Sequence, residues 1–136
     1  METTDAERVS FDDLLKESDF LIVCCALTED TRGVFSTEVF KKMKKTAVLV
    51  NTSRGAVVDM NDLAVALETG ELMGAGLDVT VPEPLPLDHK LFTLNNCIVL
   101  PHIGSATIEA RSAMSELTAQ NIIQALNGDA MPAEIK

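Results

Sequence analysis

Residues 74 to 107, GAGLDVTVPEPLPLDHKLFTLNNCIVLPHIGSAT, hold two short apolar runs, and each stops at a residue able to carry chemistry. Gly74 to Leu77 predicts a strand that ends in Asp78, and Cys97 to Leu100 predicts a second that ends in Pro101 and His102. Between them, residues 79–96 contain Pro82, Pro84 and Pro86, which predicts a long irregular loop followed at most by a short helix around Leu91. In open α/β sheets ligands sit beyond the carboxyl ends of parallel strands, so Asp78, Glu83 and His102 fall where a site would form.

Working towards the N-terminus, Ala47 to Val50 predicts another strand, ending in Asn51-Thr-Ser-Arg-Gly55. Earlier still, FLIVCCAL at residues 20–27 is apolar without alternation, the pattern of a parallel strand buried on both faces. Ser10-Phe-Asp-Asp13 has the form of a capping box for a helix to about Glu17, while Met1 to Val9 is polar, without period, and expected to be loose. Ser36 or Thr37 can cap a helix bearing Val39, Phe40 and Met43, and Lys41, Lys42, Lys44 and Lys45 crowd its end, where cations favour the helix dipole. Asp59 to Asp62 can cap a third helix, which Gly70 ends. Towards the C-terminus, Met114, Leu117, Ile122 and Leu126 recur at helical spacing between Ser105 and Leu126. Strands beginning near residues 20, 47, 75 and 97, with helices in the first two gaps, are successive βα units of a parallel sheet.

Composition limits the partners. The chain has 136 residues, 46% of them hydrophobic, with no Trp or Tyr and five Phe, so one domain with an aliphatic core is expected. A net charge of -10 argues against nucleic acid and anionic membrane as partners, because both select for clustered Lys and Arg. No apolar run is long enough to span a bilayer and no cationic, apolar leader is present, so the expected location is the cytoplasm. Cys24, Cys25 and Cys97 lie in apolar runs and read as buried thiols of a reducing compartment. With no C-x-x-C pair and two histidines, His89 and His102, no metal site is expected.

The four strand ends offer residues 26–28, then residues 51–54, then Asp78 with Glu83, then His102 with Ser105. Each fits a role in hydride transfer to a keto acid. A substrate carboxylate is met best by a planar cationic fork, which Arg54 supplies. A carbonyl becoming an alcohol needs a proton donor working near neutral pH, which His102 is if an acid holds its imidazolium form, and Glu83 is the nearest acid in sequence. Plainer readings exist for each residue alone: Arg54 as a solvated loop cation, Glu83 as a turn acid, Asp78 as a turn cap, His102 as a surface histidine, Ser105 or Thr107 as a helix N-cap. Their joint placement at strand ends is what those readings leave unexplained. Two motifs are set aside. Gly74-Ala-Gly76 lacks the third glycine of a dinucleotide fingerprint and lies within a strand, and Gly104-Ser105 lacks the flanks of a nucleophile elbow.

The run VNTSRGAVVDMNDLAVALETGELMGAGLDV, followed by PEP, by LPHIGSAT and by the closing MPAEIK, resembles the D-isomer-specific 2-hydroxyacid dehydrogenases, most closely their glyoxylate and hydroxypyruvate reductase branch. The resemblance runs from about Val9 to the C-terminus. It implies an α/β fold that is half of a doubly wound, parallel, Rossmann-like sheet with flanking helices and a long C-terminal helix. Residues 1–104 would be the C-terminal half of a nicotinamide-cofactor-binding domain, and residues 105–136 a helix and tail that pack on a substrate domain. It implies an NAD(P)-dependent oxidoreductase that reduces a small 2-oxo acid, glyoxylate or hydroxypyruvate, to the D-2-hydroxy acid. Arg54 would bind the carboxylate, His102 would donate the proton, and Glu83 would pair with His102 and tune it. Ala26, Thr52, Asp78 and Gly104 would lie against NADP or NAD, with NADPH favoured by the resemblance alone. Ser105 would join Arg54 and His102 at the substrate, and the full protein would be a homodimer. The rival expectation is a non-catalytic product of the same fold, a truncated fragment or a module for protein association.

Overall fold

Four parallel strands form one sheet: β1 Phe20–Val23, β2 Val48–Asn51, β3 Gly74–Leu77 and β4 Cys97–Val99, in the order β1-β2-β3-β4. The computed structural model describes residues 6–134. It divides into one compact unit up to His102 and a second from Ile103. Expected and observed strands agree in place and direction, and β3 agrees residue for residue. Every connection has to cross from the end of one strand to the start of the next, because parallel neighbours cannot be joined by a tight hairpin.

The register sets how far each strand runs. Val23 is opposite Asn51, and the last bond to that end of β1 is from the Thr52 N–H to the Val23 carbonyl at 3.4 Å. The pairing with β2 ends at Val23, so β1 stops there and the apolar residues 24–27 continue as loop. The expected strand to Leu27 is therefore corrected, and with it the expectation of buried thiols. Cys24 and Cys25 are exposed, while Cys97, at the start of the edge strand β4, is half-buried.

One face of the sheet carries the core. Leu21, Val23, Leu49, Ala75 and Leu77 pack with Phe40, Leu63, Leu67, Leu72 and Leu91 in a single cluster. Each fully buried Leu or Phe contributes about 1.5–3 kcal/mol of transfer free energy. The opposite face is open: Phe20 is 71% exposed, Ile22 61% and Ile98 66%. Burial of β1 on both faces, as its unbroken apolar run suggested, is thus not observed. The run has no alternation to tell which face is covered. The purified chain is accordingly expected to bind the apolar dye ANS, and Ile22→Lys with Ile98→Lys to reduce that signal at unchanged circular dichroism. Fluorescence unaltered by the double substitution would show the face to be covered.

The helices start where the caps were expected. In α1, Phe11–Glu17, the Ser10 hydroxyl accepts from the Asp13 N–H at 3.1 Å. Ser36 precedes α2, Thr37–Phe40, but its side chain makes no capping bond. The Thr37 N–H donates instead to Asp62 Oδ2 at 2.7 Å, which ties α2 to the next helix. That helix is α3, Met60–Glu68, and Asp59 Oδ1 caps it through the N–H groups of Asn61 and Asp62. Gly70, at φ 74, ends it in the left-handed region. A short 3-10 turn, Lys90–Thr93, buries Leu91 in the long loop, as expected.

In the second unit α4, Ile108–Asn127, is capped by the Thr107 hydroxyl and ended by Gly128 at φ 77. The Asn121 side chain bonds the Ala133 backbone at 3.0 and 3.2 Å, folding the tail back on the helix. Of the expected loose segment Met1 to Val9, the first five residues lie outside the described residues, and the other four are exposed with no helix or strand. No helix among the described residues is long and apolar enough to cross a membrane.

Candidate active site

The site is built from β2 outward. Ala47, Leu49 and Asn51 alternate onto the core side of the sheet, so Asn51, at the strand's end, is fully buried. A buried amide has to find partners. Asn51 Oδ1 accepts from the Ser53 N–H at 3.0 Å and the Ser53 hydroxyl at 2.9 Å, while its Nδ2 donates to the Arg54 carbonyl at 3.0 Å. The turn carrying Arg54 is thereby fixed to the sheet. The Arg54 side chain is exposed, and its Nη1 donates to the Ser53 carbonyl at 2.7 Å.

Gly55, the next residue, is where this turn meets the loop after β3. A Cβ at position 55 would lie 2.0 Å from the Thr80 carbonyl carbon and oxygen, so only glycine allows this approach. The same two strand ends are joined by the Asp78 N–H donating to the Asn51 carbonyl at 3.0 Å.

Parallel pairing then continues past the end of β4. The Leu100 N–H donates to the Leu77 carbonyl at 2.7 Å, and the His102 N–H to the Asp78 carbonyl at 2.9 Å. This places His102 beside Asp78 in space although 24 positions separate them in sequence (102 − 78). Its φ of 55 puts a non-glycine residue in the left-handed region, a conformation costing about 1 kcal/mol that is found preferentially at functional positions.

The His102 ring faces the long loop. His102 Nδ1 lies 2.7 Å from Glu83 Oε1, while Glu83 Oε2 accepts from the Thr80 N–H at 3.4 Å. The Thr80 hydroxyl donates in turn to the Pro82 carbonyl at 3.0 Å, which closes the loop on itself. Glu83 is held below the usual carboxylate range, chiefly by the hydrogen bond from His102. The Thr80 N–H and the charges of His102 and Arg54 add to this, against a partial loss of hydration. Arg54 is therefore close enough for its charge to favour the Glu83 carboxylate. With Nδ1–H directed at the carboxylate, Nε2 is the ring atom left for a substrate.

A depressed acid stabilises the fold above its unfolded value, and that contribution is lost as pH falls through the folded value. Both Glu83 and His102 side chains are nearly half exposed, at 44% and 45%, so the contribution is small; it is present at neutral pH and its loss is confined to the acid side of about pH 4. The expected observation by NMR is a Glu83 carboxyl titrating below an ordinary glutamate, and moving up in His102→Ala. A titration unaffected by removal of the imidazole would show the ion pair to be absent in solution.

Two cavities open at these strand ends. One, of about 480 Å³, includes Asp78, Thr80, Glu83, Leu85, Phe92 and His102 in its wall. The other, of about 650 Å³, is lined by Cys24, Cys25, Ala26, Leu27, Ser53 and Arg54. Thr52 adjoins it, with its hydroxyl 3.7 Å from Cys24 Sγ. Of the residues singled out from the sequence, Asp78, Glu83 and His102 come together at the first cavity, and Ala26, Thr52 and Arg54 at the second. Gly104 and Ser105 belong to the unit that begins at Ile103.

The anchoring roles of three residues at this site escaped the sequence reading: Asn51, which stood among residues 51–54 at a strand end, Gly55 and Thr80. Asn51 was within reach, because the period of β2 turns it inward after Ala47 and Leu49. Nothing local marks Gly55 or Thr80, whose roles depend on a contact between two loops.

The nicotinamide end of a dinucleotide suits this donor set. Asp78, 8% exposed, places a carboxylate at the end of β3, and backbone at the ends of β1 and β2 borders the larger cavity. No G-x-G-x-x-G phosphate loop occurs in the sequence. Among the described residues no group of three or more His, Cys, Asp or Glu is placed to hold a metal ion.

Known proteins share this architecture. The chain is 54% identical over 131 residues to glyoxylate reductase/hydroxypyruvate reductase of Mus musculus, covering 96% of this chain and 40% of that protein. Among solved structures, TT0316 protein from Thermus thermophilus superposes with a TM-score of 0.88 at 43% identity, over 94% of this chain and 41% of the other. D-lactate dehydrogenase with NAD+ from Lactobacillus jensenii gives 0.84 at 31% identity, over 94% and 42%. The chain thus spans about two fifths of the length of the relatives it matches. Residues 1–104 match the D-isomer specific 2-hydroxyacid dehydrogenase, NAD binding domain, and the chain belongs to that family.

Proposed function

We propose that this chain supplies the proton donor and the carboxylate-binding arginine of an enzyme that reduces a small 2-oxo acid, glyoxylate or hydroxypyruvate, to the D-2-hydroxy acid. The observation carrying this reading is the 2.7 Å contact of His102 with Glu83 at the carboxyl end of the sheet, within electrostatic reach of Arg54, in a chain of this family. The Arg54 guanidinium pairs with the substrate carboxylate through two parallel N–H bonds and fixes which way the carbonyl faces. His102 Nε2 hydrogen-bonds the carbonyl oxygen and gives it a proton as negative charge develops there. Glu83 holds Nδ1–H, which orients the ring and compensates its positive charge.

When bound, NADH or NADPH supplies the hydride, which no side chain can do. Ala26 and Thr52 serve it chiefly through backbone and Asp78 accepts from its carboxamide; this reading assigns Gly104 to the cofactor and Ser105 to the substrate. In the same reading, residues 1–104 are the C-terminal half of the cofactor domain. Residues 105–136 are the helix and tail that pack on a substrate domain, and the full protein is a homodimer.

The test is Arg54→Gln in a protein of the relatives' full length. Loss of a bidentate, charge-assisted contact is expected to raise KM for hydroxypyruvate by about 10- to 100-fold. Arg54→Lys should recover part of the loss, since it restores the charge without the fork. An unchanged KM in Arg54→Gln would remove Arg54 from substrate binding.

A further inference from the structure

Two thiols lie where the mechanism above has no use for them. Cys24 and Cys25 follow the last residue of β1, both are exposed, and both line the cavity of about 650 Å³ whose wall also holds Ser53 and Arg54. Cys24 Sγ has a hydroxyl neighbour, Thr52 Oγ1, at 3.7 Å. Cys97 provides a contrast within the same chain, since burial pushes its thiol up to about 11. A small molecule entering the cavity thus meets two sulfur nucleophiles and a guanidinium, in a chain whose net charge of -10 repels anions elsewhere.

We propose that Cys24 and Cys25 make this cavity a site of reversible thiol–disulfide exchange with small anionic disulfides, which Arg54 recruits. In the exchange, one thiol loses its proton to solvent and its sulfur attacks a sulfur of the disulfide. A new S–S bond forms to the protein, the reagent's own S–S bond breaks, and the departing thiolate keeps the electron pair. Excess free thiol reverses the step by the same route. The mixed disulfide fills space next to Ala26 and Arg54, so modification and occupation of the cavity compete. The exchange itself stands on the geometry of the thiols and Arg54, independently of the function proposed above.

The test compares dithiobis(nitrobenzoate), a dianionic aromatic disulfide, with neutral dithiodipyridine on the whole chain, and locates the labelled residues by peptide mass. Cys24 and Cys25 are expected to react at least about tenfold faster than Cys97, and to be restored by dithiothreitol. Arg54→Gln is expected to slow the anionic reagent about threefold while leaving the neutral one unchanged. Raising the salt concentration on the unaltered chain should slow the anionic reagent at Cys24 and Cys25 relative to Cys97, which shares the screening of the overall charge, and this covers the case of a variant that folds poorly. Cys24→Ser and Cys25→Ser show which thiol carries the rate. Labelling of Cys24 and Cys25 no faster than that of Cys97 would overturn the proposal. So would an anionic reagent whose rate at Cys24 and Cys25 responds to neither Arg54→Gln nor, relative to Cys97, salt.

Discussion

Gly55→Ala is expected to destabilise the chain by about 3 kcal/mol or more, a loss typical of severe overpacking, and to do so without touching any group that performs chemistry. The cause is geometric. The added methyl carbon would sit 2.0 Å from the carbonyl carbon and oxygen of Thr80 and 2.6 Å from its Cα, and backbone cannot move aside as a flexible side chain can. Relief requires the Arg54 turn and the Thr80–Glu83 loop to separate. Such separation strains the bond from Asp78 N–H to the Asn51 carbonyl and the anchoring of Arg54 by Asn51. The effect is therefore doubled: lower stability, and an arginine no longer held in place at the end of β2. Urea denaturation followed by circular dichroism measures the first. A variant as stable as the parent would mean that the two loops do not approach each other as described.

His102→Ala is expected to have the largest effect on chemistry. In a protein of the relatives' full length, loss of the proton donor should lower turnover of hydroxypyruvate by about 10²- to 10⁴-fold. Affinity for the reduced dinucleotide should stay nearly unchanged, because the imidazole acts on the substrate's carbonyl oxygen and not on the cofactor. Glu83→Gln should fall between, since the amide still accepts from Nδ1–H but no longer balances the imidazolium charge. Measuring kcat separately from dinucleotide affinity distinguishes this from general damage to the site, which would lower both. A His102→Ala enzyme that keeps its turnover would assign the proton to another group.

What the sequence disclosed, and what it hid, follows from the range of the interactions involved. β3 was legible to the residue because Gly70 bounds it before and Asp78 after. The caps at Ser10, Asp59 and Thr107 were legible because each bonds within its own first turn. The length of β1 was not, because its end is decided by Asn51 on the neighbouring strand and not by residues 24–27. The exposure of Cys24 and Cys25 was lost for the same reason. One-sided burial of the sheet was equally invisible, since Phe20 and Ile22 are as apolar as Leu21 and Val23. At the site, the residues suited to touching substrate stood out by type and by position after apolar runs. The positions that hold them in place did not. Gly55 and Thr80 matter only through a contact between loops 25 positions apart (80 − 55).

The first measurement to make is the oxidation of NADPH and NADH by a protein of the relatives' full length, on addition of glyoxylate or hydroxypyruvate, with the product's configuration determined. One equivalent of the D-2-hydroxy acid should form for each dinucleotide oxidised. Dinucleotide that binds but is never oxidised in the presence of either acid would contradict the assignment of Arg54, Glu83 and His102 to 2-oxo acid reduction.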